Sequence, residues 1–477
     1  MKATLCLTLS AVLLCALDVP AQTQPQTAPQ PSATTAAPAT QQPAGVAAAT
    51  CSAARAQTPS PNGPPPTAGA GAIRLTLTDA EKLALKNNPR IAVGRLLALA
   101  QNQVTREVRS GELPNLMGNI TAVDSHDGTR VTAGSLNNPI IYQRAAAGVA
   151  LSQLITDFGR TNNLVSSAGF RAQAEAAAAQ ATAAEITIAV DIAFYRALGA
   201  ESVLNVASAT VQARQTTVDQ ITALANAKLR STLDLTFAKV ALAQAKLLLL
   251  NAQNQGEDAM STLNALLGER AAPDFTLIEA PPTAPPPPPE DPEALVPVAL
   301  SHRPDLLALN DQARAAQKFS TAEHDLSRPT ISALGTIGGT PIRADQITSS
   351  WYGAIGVNLS IPMFNGFLFS ARAKEADLRS QATQQQVREL RDSIARDVRT
   401  TALQAQSNFQ RIAVAQQLVD QANSALDLAQ TRYNIGLSSI VELSQAQLQQ
   451  TQAQIDLADA RYAYQGSLAT IRFQTGQ

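Results

Sequence analysis

Two stretches of the chain alternate apolar with polar or small residues, and a much longer stretch with a helical period follows each of them. In the second half of the chain, the alternation predicts strands over residues 329–339 and 350–362. Successive side chains of a strand point to opposite faces, so each strand would have one apolar and one polar or small face. The first half repeats this pattern less cleanly over residues 115–125 and 142–154. The sequence therefore predicts two β-hairpins.

A long segment without proline follows each hairpin, over residues 160–228 in the first half and 367–434 in the second. In the second segment Val387, Leu390 and Ile394 recur at three- and four-residue steps, which is the spacing of one helix face. At a rise of about 1.5 Å per residue, each helix would be roughly 100 Å long. Alanine dominates the predicted seam, which lets neighbouring helices approach closely. A short turn and a return helix follow.

The two halves of the chain align as a tandem duplication. Pro89 aligns with Pro304 (304 − 89 = 215), and Gly268 aligns with Gly476 (476 − 268 = 208). Other landmarks fall between these pairs in the same order and at nearly the same offset. One structural unit used twice is the simplest explanation of such a pattern.

The N-terminal segment predicts export. Lys2 precedes a short apolar run and then small residues that end at Ala21, which is the order of a secretory signal peptide over residues 1–21. Residues 22–72 are Pro, Ala, Thr, Gln and Ser with almost no large apolar residue, which predicts a disordered tether. No other apolar run predicts a transmembrane helix. The remaining chain divides into a first repeat over residues 73–280, a proline-rich linker over residues 281–292 and a second repeat over residues 293–477.

Composition excludes several classes of function. The chain has 36 basic and 37 acidic residues, so it lacks the excess of positive charge that nucleic-acid binding requires. Three cysteines and three histidines occur, and the histidines do not stand at the spacing of metal ligands. The sequence contains no nucleophile elbow or phosphate-binding loop. We therefore expect no enzyme, no metal, no cofactor and no nucleic-acid partner.

Four strands of about ten residues are suited to crossing an outer membrane at a tilt, but about eight strands make the smallest useful barrel. An unpaired sheet edge in lipid costs several kcal/mol for each polar group, so several copies would have to close the sheet together. Helices of roughly 100 Å exceed a hydrocarbon layer of about 30 Å, and they would project into the periplasm as a second, helical tube. The pattern predicts a hollow conduit.

Several short motifs recur in order along residues 73–477. They are LTLTDA at 75–80, NNPRI at 87–91, LSQL at 151–154, DFGR at 157–160 and YNIGLSSIVEL at 433–443. In these motifs and their order, the chain resembles the TolC-like outer-membrane efflux proteins, also called outer membrane factors. The resemblance implies a mainly α fold with β membrane strands, in which a homotrimer forms a 12-stranded β-barrel continued by a 12-helix periplasmic α-barrel.

The resemblance also implies a location and a set of partners. The protein would lie in the outer membrane, in contact with lipid, and extend far into the periplasm. It would be the exit duct of a tripartite efflux or type I secretion system. A periplasmic adaptor (membrane fusion) protein would connect it to an inner-membrane pump of resistance-nodulation-division or ABC type, and conduction through the duct would be passive.

Proteins of this family close the periplasmic end near the second turn, with a tyrosine, an arginine and two aspartates. Tyr433 matches the tyrosine and Glu442 the first aspartate, whereas Ser438 and Gln445 replace the arginine and the second aspartate. A ring of three Glu442 carboxylates would favour cations and hold the tip under electrostatic repulsion. Alternatively, Glu442 is an ordinary first-turn carboxylate that the helix dipole favours. Both interpretations stay open at this point.

Two further groups of candidate residues complete the prediction. Adaptor docking is expected at the two helical turns, on Lys228, Leu229, Arg230, Ser231, Asp234, Gly436, Leu437 and Ser439. Aromatic residues at the ends of membrane strands typically form a girdle at the lipid interface. The candidates for this girdle are Trp351, Tyr352 and Tyr142.

Two other classes of protein fit parts of the pattern. A periplasmic structural coiled-coil protein without a membrane barrel would use the same long helices, and its hairpins would be incidental. An adaptor-like periplasmic binding protein would need only one helical hairpin, so the doubled plan of four strands argues against it.

Overall fold

A computed structural model describes residues 73–124, 126, 144–269, 275–279, 286–342 and 349–476. The predicted signal peptide and tether, the first part of the predicted linker and Tyr142 lie outside the described residues. The described chain is mainly helical, as expected.

The elements follow each other in the order of a repeated unit. The first repeat contains β1 (Ile73–Leu75), α1 (Leu77–Asn87), α2 (Pro89–Ser110), β2 (Asn115–Val123), β3 (Arg144–Thr156), α3 (Arg160–Asn226), α4 (Thr232–Leu267) and β4 (Phe275–Leu277). The second repeat contains α5 (Leu295–His302), α6 (Pro304–His324), a 3₁₀ turn (Asp325–Ser327), β5 (Thr330–Ile342), β6 (Trp351–Ser360), α7 (Leu368–Asn434) and α8 (Ile440–Thr475).

The long helices and their return helices show the duplication in three dimensions. α3 and α7 each contain 67 residues, which is about 100 Å of helix. Their first residues differ by 208 (368 − 160), and so do their last residues (434 − 226). The return helices α4 and α8 keep the same offset (440 − 232 and 475 − 267). Each long helix thus has a structural equivalent in the other repeat.

The short helices begin where the local sequence satisfies free backbone N–H groups. The Thr76 hydroxyl accepts a hydrogen bond of 3.3 Å from the Asp79 amide at the start of α1. Asn88 ends α1, and its side-chain oxygen accepts from the Arg90 amide at 2.9 Å at the start of α2. Pro89 follows as the first residue of α2, a position that needs no N–H donor.

Strands β2, β3, β5 and β6 form one antiparallel sheet in that order. The predicted hairpins are the pairs β2–β3 and β5–β6, and β3 pairs with β5 so that the two repeats join in the middle of the sheet. β1 and β4 form a separate parallel pair of three residues each. The sequence did not predict β1, β4 or the central β3–β5 pairing.

The register gives this sheet two chemically different faces, because directly paired residues share a face. The apolar face carries Leu116, Ile120, Val149, Leu151, Ile337, Trp351, Ile355, Val357 and Leu359. The small-residue face carries Asn115, Asn119, Gly148, Ala150, Ser152, Thr336, Gly338, Tyr352, Ala354, Gly356 and Asn358, together with the larger apolar residues Met117, Val123, Leu154 and Leu334. On the apolar face, Ile120 and Ile355 are 89% and 93% exposed. This face has no covering layer among the described residues.

α3 is the central helix of the described chain. It packs against α2, α4, α6 and α8, while α7 packs against α6 and α8. Val190 and Phe194 of α3 form a buried cluster with Leu263 and Leu267 of α4 and with residues of α1. Among the described helices, α3 alone has an 18-residue window long and apolar enough to cross a membrane, and 39% of this window is buried inside the chain.

Candidate functional site

The two turns between long and return helices lie side by side. Their helices share one apolar cluster, formed by Val218, Ile221, Ala238, Leu242, Ala429, Tyr433, Ile440, Leu443 and Ala446. Each of α3, α4, α7 and α8 contributes to it, so the cluster joins the first repeat to the second. We call this region, with residues 227–231 and 435–439, the paired tips.

The two turns have equivalent geometry. Lys228 and Gly436, which are 208 residues apart (436 − 228), both have positive φ, at 59° and 82°. Ser231 and Ser439 are the N-caps of α4 and α8, and their hydroxyls accept from the amides of Leu233 and Glu442. The tips therefore repeat the same backbone conformation with different side chains.

The predicted docking residues are mostly exposed at the ends of these turns. Leu229 is 71% exposed and Leu437, its equivalent, is 68% exposed. Lys228, Ser231, Gly436 and Ser439 are also exposed, while Arg230 and Asp234 are half-buried. Ile435 of the second tip is also exposed, at 65%, so both tips present apolar side chains to water.

Arg230 of the first tip contacts Tyr433 of the second. Its guanidinium carbon lies 4.4 Å from the centre of the Tyr433 ring, and its Nη2 donates a hydrogen bond of 2.7 Å to the Tyr433 carbonyl. This geometry is a cation–π contact combined with a charge-assisted hydrogen bond. Arg230 occupies the position equivalent to Ser438 (438 − 230 = 208), the position at which the resemblance implies an arginine in the second turn.

Tyr433 is buried in the shared cluster. Burial raises the pKa of its phenol, Arg230 opposes this shift, and Asp234 adds to it. Among the described residues, the Tyr433 hydroxyl has no hydrogen-bond partner. A buried hydroxyl without a partner costs about 1–3 kcal/mol, which other contacts of the ring must offset.

Glu442 forms an ion pair with Arg432 at the second tip. It lies in the first turn of α8, and its Oε1 is 3.3 Å from Nη1 of Arg432 at the end of α7. Both side chains are about half exposed, so the ion pair is solvated and weak. Gln445 is exposed, and the Ser438 hydroxyl is buried without a partner among the described residues. Arg432 reduces the net charge that three Glu442 side chains would bring together.

Arg214 is a second cross-repeat contact that the sequence analysis missed. It is 6% exposed, and its guanidinium donates to the side chain of Gln447 and, at 3.4 Å, to the Ser444 carbonyl on α8. Burial lowers the pKa of this guanidinium. The sequence did contain a signal for this contact. Arg214 lies three residues after Val211 and four before Val218, so it falls on the apolar face of the helix. A charge at such a position indicates a buried polar contact.

Arg432 also carried a sequence signal. Arg432 lies five residues before Leu437, and Glu442 lies five residues after Leu437. An antiparallel helical hairpin brings two such positions opposite each other, so this ion pair was predictable once the turn was centred on Leu437.

The two candidate girdle aromatics within the described residues lie on opposite faces of the sheet. Trp351 is on the apolar face and is 66% exposed. Tyr352, the next residue, is on the small-residue face. Only Trp351 therefore has the orientation that a lipid-facing girdle needs.

A buried carboxyl on α3, Asp191, lies far from the tips and next to the partly buried Glu81 of α1. Asp191 is 5% exposed, lines a cavity of about 500 Å³, and has one carboxyl oxygen without a hydrogen-bond partner among the described residues. Burial raises its pKa to about 7, with the neighbouring Glu81 carboxyl acting in the same direction and Arg472 in the opposite one.

We expect Asp191→Asn to flatten the pH dependence of stability. The folded chain holds a proton on Asp191 between about pH 4 and pH 7 that the unfolded chain releases, so wild-type stability falls as pH rises through this window. The variant should lose less stability between pH 5 and pH 8.5, by an amount on the order of 1–3 kcal/mol. Urea unfolding at several pH values measures this. Glu185→Gln, on the same helix, is the control, and an unchanged pH profile in Asp191→Asn would exclude the pair as the cause.

Comparisons with known proteins connect this geometry to a family. The model of a family described as outer membrane efflux protein matches residues 81–269 and 295–477, one segment in each repeat. Outer membrane protein TolC of Salmonella enteritidis is 26% identical over 168 residues, which are 35% of this chain and 34% of that protein. TolC of Escherichia coli K12 is 25% identical over 221 residues, which are 45% of this chain and 40% of that protein.

A solved structure supports the fold over a greater length. The outer membrane protein VceC of Vibrio cholerae superposes with a TM-score of 0.72 and 20% sequence identity, over 84% of this chain and 96% of that protein. By contrast, the sequence matches span well under half of the two TolC proteins. The family match and the superposition thus cover both repeats.

Proposed function

The chain belongs to the outer membrane efflux protein family, and from this premise we propose that three copies form the exit duct of a tripartite efflux or type I secretion system. It is an outer-membrane protein with a periplasmic extension. The family is one of transport channels, and we propose that the duct conducts passively and catalyses no reaction. A periplasmic adaptor and an inner-membrane pump of resistance-nodulation-division or ABC type would deliver its substrates.

The sheet is the observation that carries this proposal. β2 and β6 are its two edge strands, and each has a free side within the described chain. In lipid such edges would cost several kcal/mol for each unpaired group, so β6 of one copy should pair with β2 of the next. Three sheets of four strands would close a 12-stranded barrel. The apolar face would then contact lipid, and the small-residue face would line the lumen.

The helices support the same contact between copies. α2 packs mainly against α3 and exposes Leu96 and Leu99, which are 65% and 61% exposed. α7 lies at the other end of the helix order and exposes Leu378, at 54%. Exposed apolar rows on the two outermost helices are suited to packing α2 of one copy against α7 of the next. The same copy-to-copy contact would close the barrel and the helical tube.

Recordings from planar bilayers test the proposed function. The purified full-length protein should migrate as a heat-modifiable trimer and pass discrete single-channel currents. A water-soluble monomer that never passes current would instead support the periplasmic structural coiled coil without a barrel. The exposed apolar face of the sheet argues against that alternative, because a soluble protein rarely leaves such a surface uncovered.

The paired tips would form the gate at the periplasmic end. Arg230 and Arg214 of the first repeat hold the second repeat through Tyr433 and Gln447. Separating the tips would break these contacts first, because they cross between the two hairpins. An adaptor that binds the exposed leucines of the tips, Leu229 and Leu437, could supply the energy for this separation.

We expect Arg230→Leu to open the gate partly. The substitution removes both the cation–π contact and the hydrogen bond to the Tyr433 carbonyl, which together contribute about 2–3 kcal/mol. Single-channel conductance in planar bilayers should rise several-fold. Lys239→Leu is the control, since it removes one positive charge from an exposed position of α4 outside the tips and should leave conductance unchanged. Equal conductance in Arg230→Leu and wild type would count against Arg230 as a gate residue.

A further inference from the structure

Tyr352 lies flat across the sheet in a niche made by two glycines. A Cβ atom at Gly338 would lie 2.5 Å from both Cζ and Oη of Tyr352, and one at Gly148 would lie 3.1 Å from Cζ. Optimal separation of non-bonded carbon atoms is about 3.5–4.0 Å, so a side chain at either position would displace the ring. Neighbouring backbone also requires glycine here, because a Cβ atom at Gly338 would lie 2.5 Å from the Ala147 carbonyl oxygen and one at Gly148 would lie 2.9 Å from the Ile337 carbonyl oxygen. The ring occupies the space that the two missing side chains leave open.

The register explains how one ring reaches two strands. Tyr352 on β6 pairs with Gly338 on β5, Gly338 pairs with Gly148 on β3, and Gly148 pairs with Asn119 on β2. These four residues form a single row across the sheet. The phenol extends along this row from β6 over β5 towards β3.

The opposite side of the ring is open. Tyr352 is 40% exposed, and it is the only aromatic residue on the small-residue face within the described strands. The other residues of this face are mainly Ala, Gly, Ser, Thr and Asn. On the apolar face Trp351 packs against Gly353 in a similar way, with the Cβ position of Gly353 3.1 Å from its Cζ3, so what distinguishes Tyr352 is the face that its ring covers.

We propose that Tyr352 is a solute-binding residue of the duct, with a preference for planar aromatic and cationic organic molecules. The proposal rests on the trimeric barrel, in which three Tyr352 rings would lie against the lumen wall at one level. A flat ring presents its electron-rich face to the lumen, and this face attracts cations and stacks with aromatic rings. The glycine niche keeps the rings against the wall, so the lumen stays wide at the level where solutes meet them.

Block of single-channel current by ethidium, a planar aromatic cation, tests this site. We expect Tyr352→Leu to weaken block by about five-fold, which corresponds to the loss of roughly 1 kcal/mol of cation–π attraction. Tyr352→Phe keeps the ring face and should block like wild type. Trp351→Leu, the neighbouring residue on the apolar face, is the control and should also leave block unchanged.

The outcomes separate this proposal from the proposed function. If Tyr352→Leu assembles poorly, Tyr352→Met fills the niche with a flexible side chain that has no ring, and it should weaken block by the same factor. Unchanged block in the non-aromatic variants would overturn the solute-binding role and leave the duct intact. Absence of current in the wild-type protein would instead contradict the duct itself.

Discussion

Replacing Ile355 with arginine is expected to prevent stable assembly in the outer membrane. Ile355 lies in the middle of β6 on the apolar face and is 93% exposed. An arginine on the lipid face near the bilayer midplane costs about 2–4 kcal/mol, and a trimer would carry three of them. Heat-modifiable trimers in the outer-membrane fraction should fall to a small fraction of the wild-type amount.

The adjacent residue provides a matched control for this experiment. Ala354 is on the small-residue face, so Ala354→Arg would place the same side chain in the aqueous lumen. This variant should assemble at nearly the wild-type level. Equal assembly of the two variants would mean that the apolar face does not contact lipid, and it would remove the main physical support for the barrel.

Sequence periodicity predicted the strands and the long helices, because the pattern of neighbouring residues determines these elements locally. The alternation over residues 350–362 located β6 within two residues, and the proline-free segment over 367–434 located α7 within one. The central β3–β5 pairing joins residues far apart in the chain, and alternation within a strand carries no information about a distant partner. β1 and β4 have three residues each, which is too short for a period to be visible.

The candidate site shows the same division between local and cross-repeat information. The turns at Lys228 and Gly436 and their serine caps follow from local sequence. The contact of Arg230 with Tyr433 crosses between the repeats. Comparison with the family motif one position at a time places Tyr433 among the gate residues and Arg230 among the docking residues, so it does not predict that the two side chains meet. The alternation along β6 is sufficient to show that Trp351 and Tyr352 cannot both belong to a lipid-facing girdle, because consecutive residues of a strand point to opposite faces. The general tendency of aromatic residues to lie at the lipid interface does not distinguish the two residues, whereas strand geometry does.

Buried polar contacts were the least predictable features. Asp191 and Glu81 belong to α3 and α1, and their proximity depends on how α1 packs onto the central helix. Arg214 and Gln447 belong to different repeats. Such pairs depend on the angles and offsets between helices, which the apolar period of one helix does not specify.

The duplication also predicts where the backbone tolerates no side chain, and Gly268 is the strongest case. Gly268 ends α4 with φ of 74°, and a Cβ atom there would lie 2.8 Å from the carbonyl oxygen of Asn87 at the end of α1. Its equivalent, Gly476, ends α8 with φ of 72°, and a Cβ atom there would lie 2.8 Å from the carbonyl carbon of His302 at the end of α5. In both repeats the return helix ends against the junction of two short helices.

Gly268→Ala is therefore expected to destabilise the helical part of the protein by about 2–5 kcal/mol. The left-handed conformation costs a non-glycine residue about 1–2 kcal/mol, and the clash with the Asn87 carbonyl adds about 1–3 kcal/mol. Gly256→Ala is the matched control, because Gly256 lies inside α4 and a methyl group added there would meet no atom within 4 Å beyond the backbone of its own helix. That variant should gain about 0.5–1 kcal/mol from higher helix propensity. Urea unfolding followed by helical circular dichroism measures both changes, and a neutral Gly268→Ala would show that the junction moves easily to admit a methyl group.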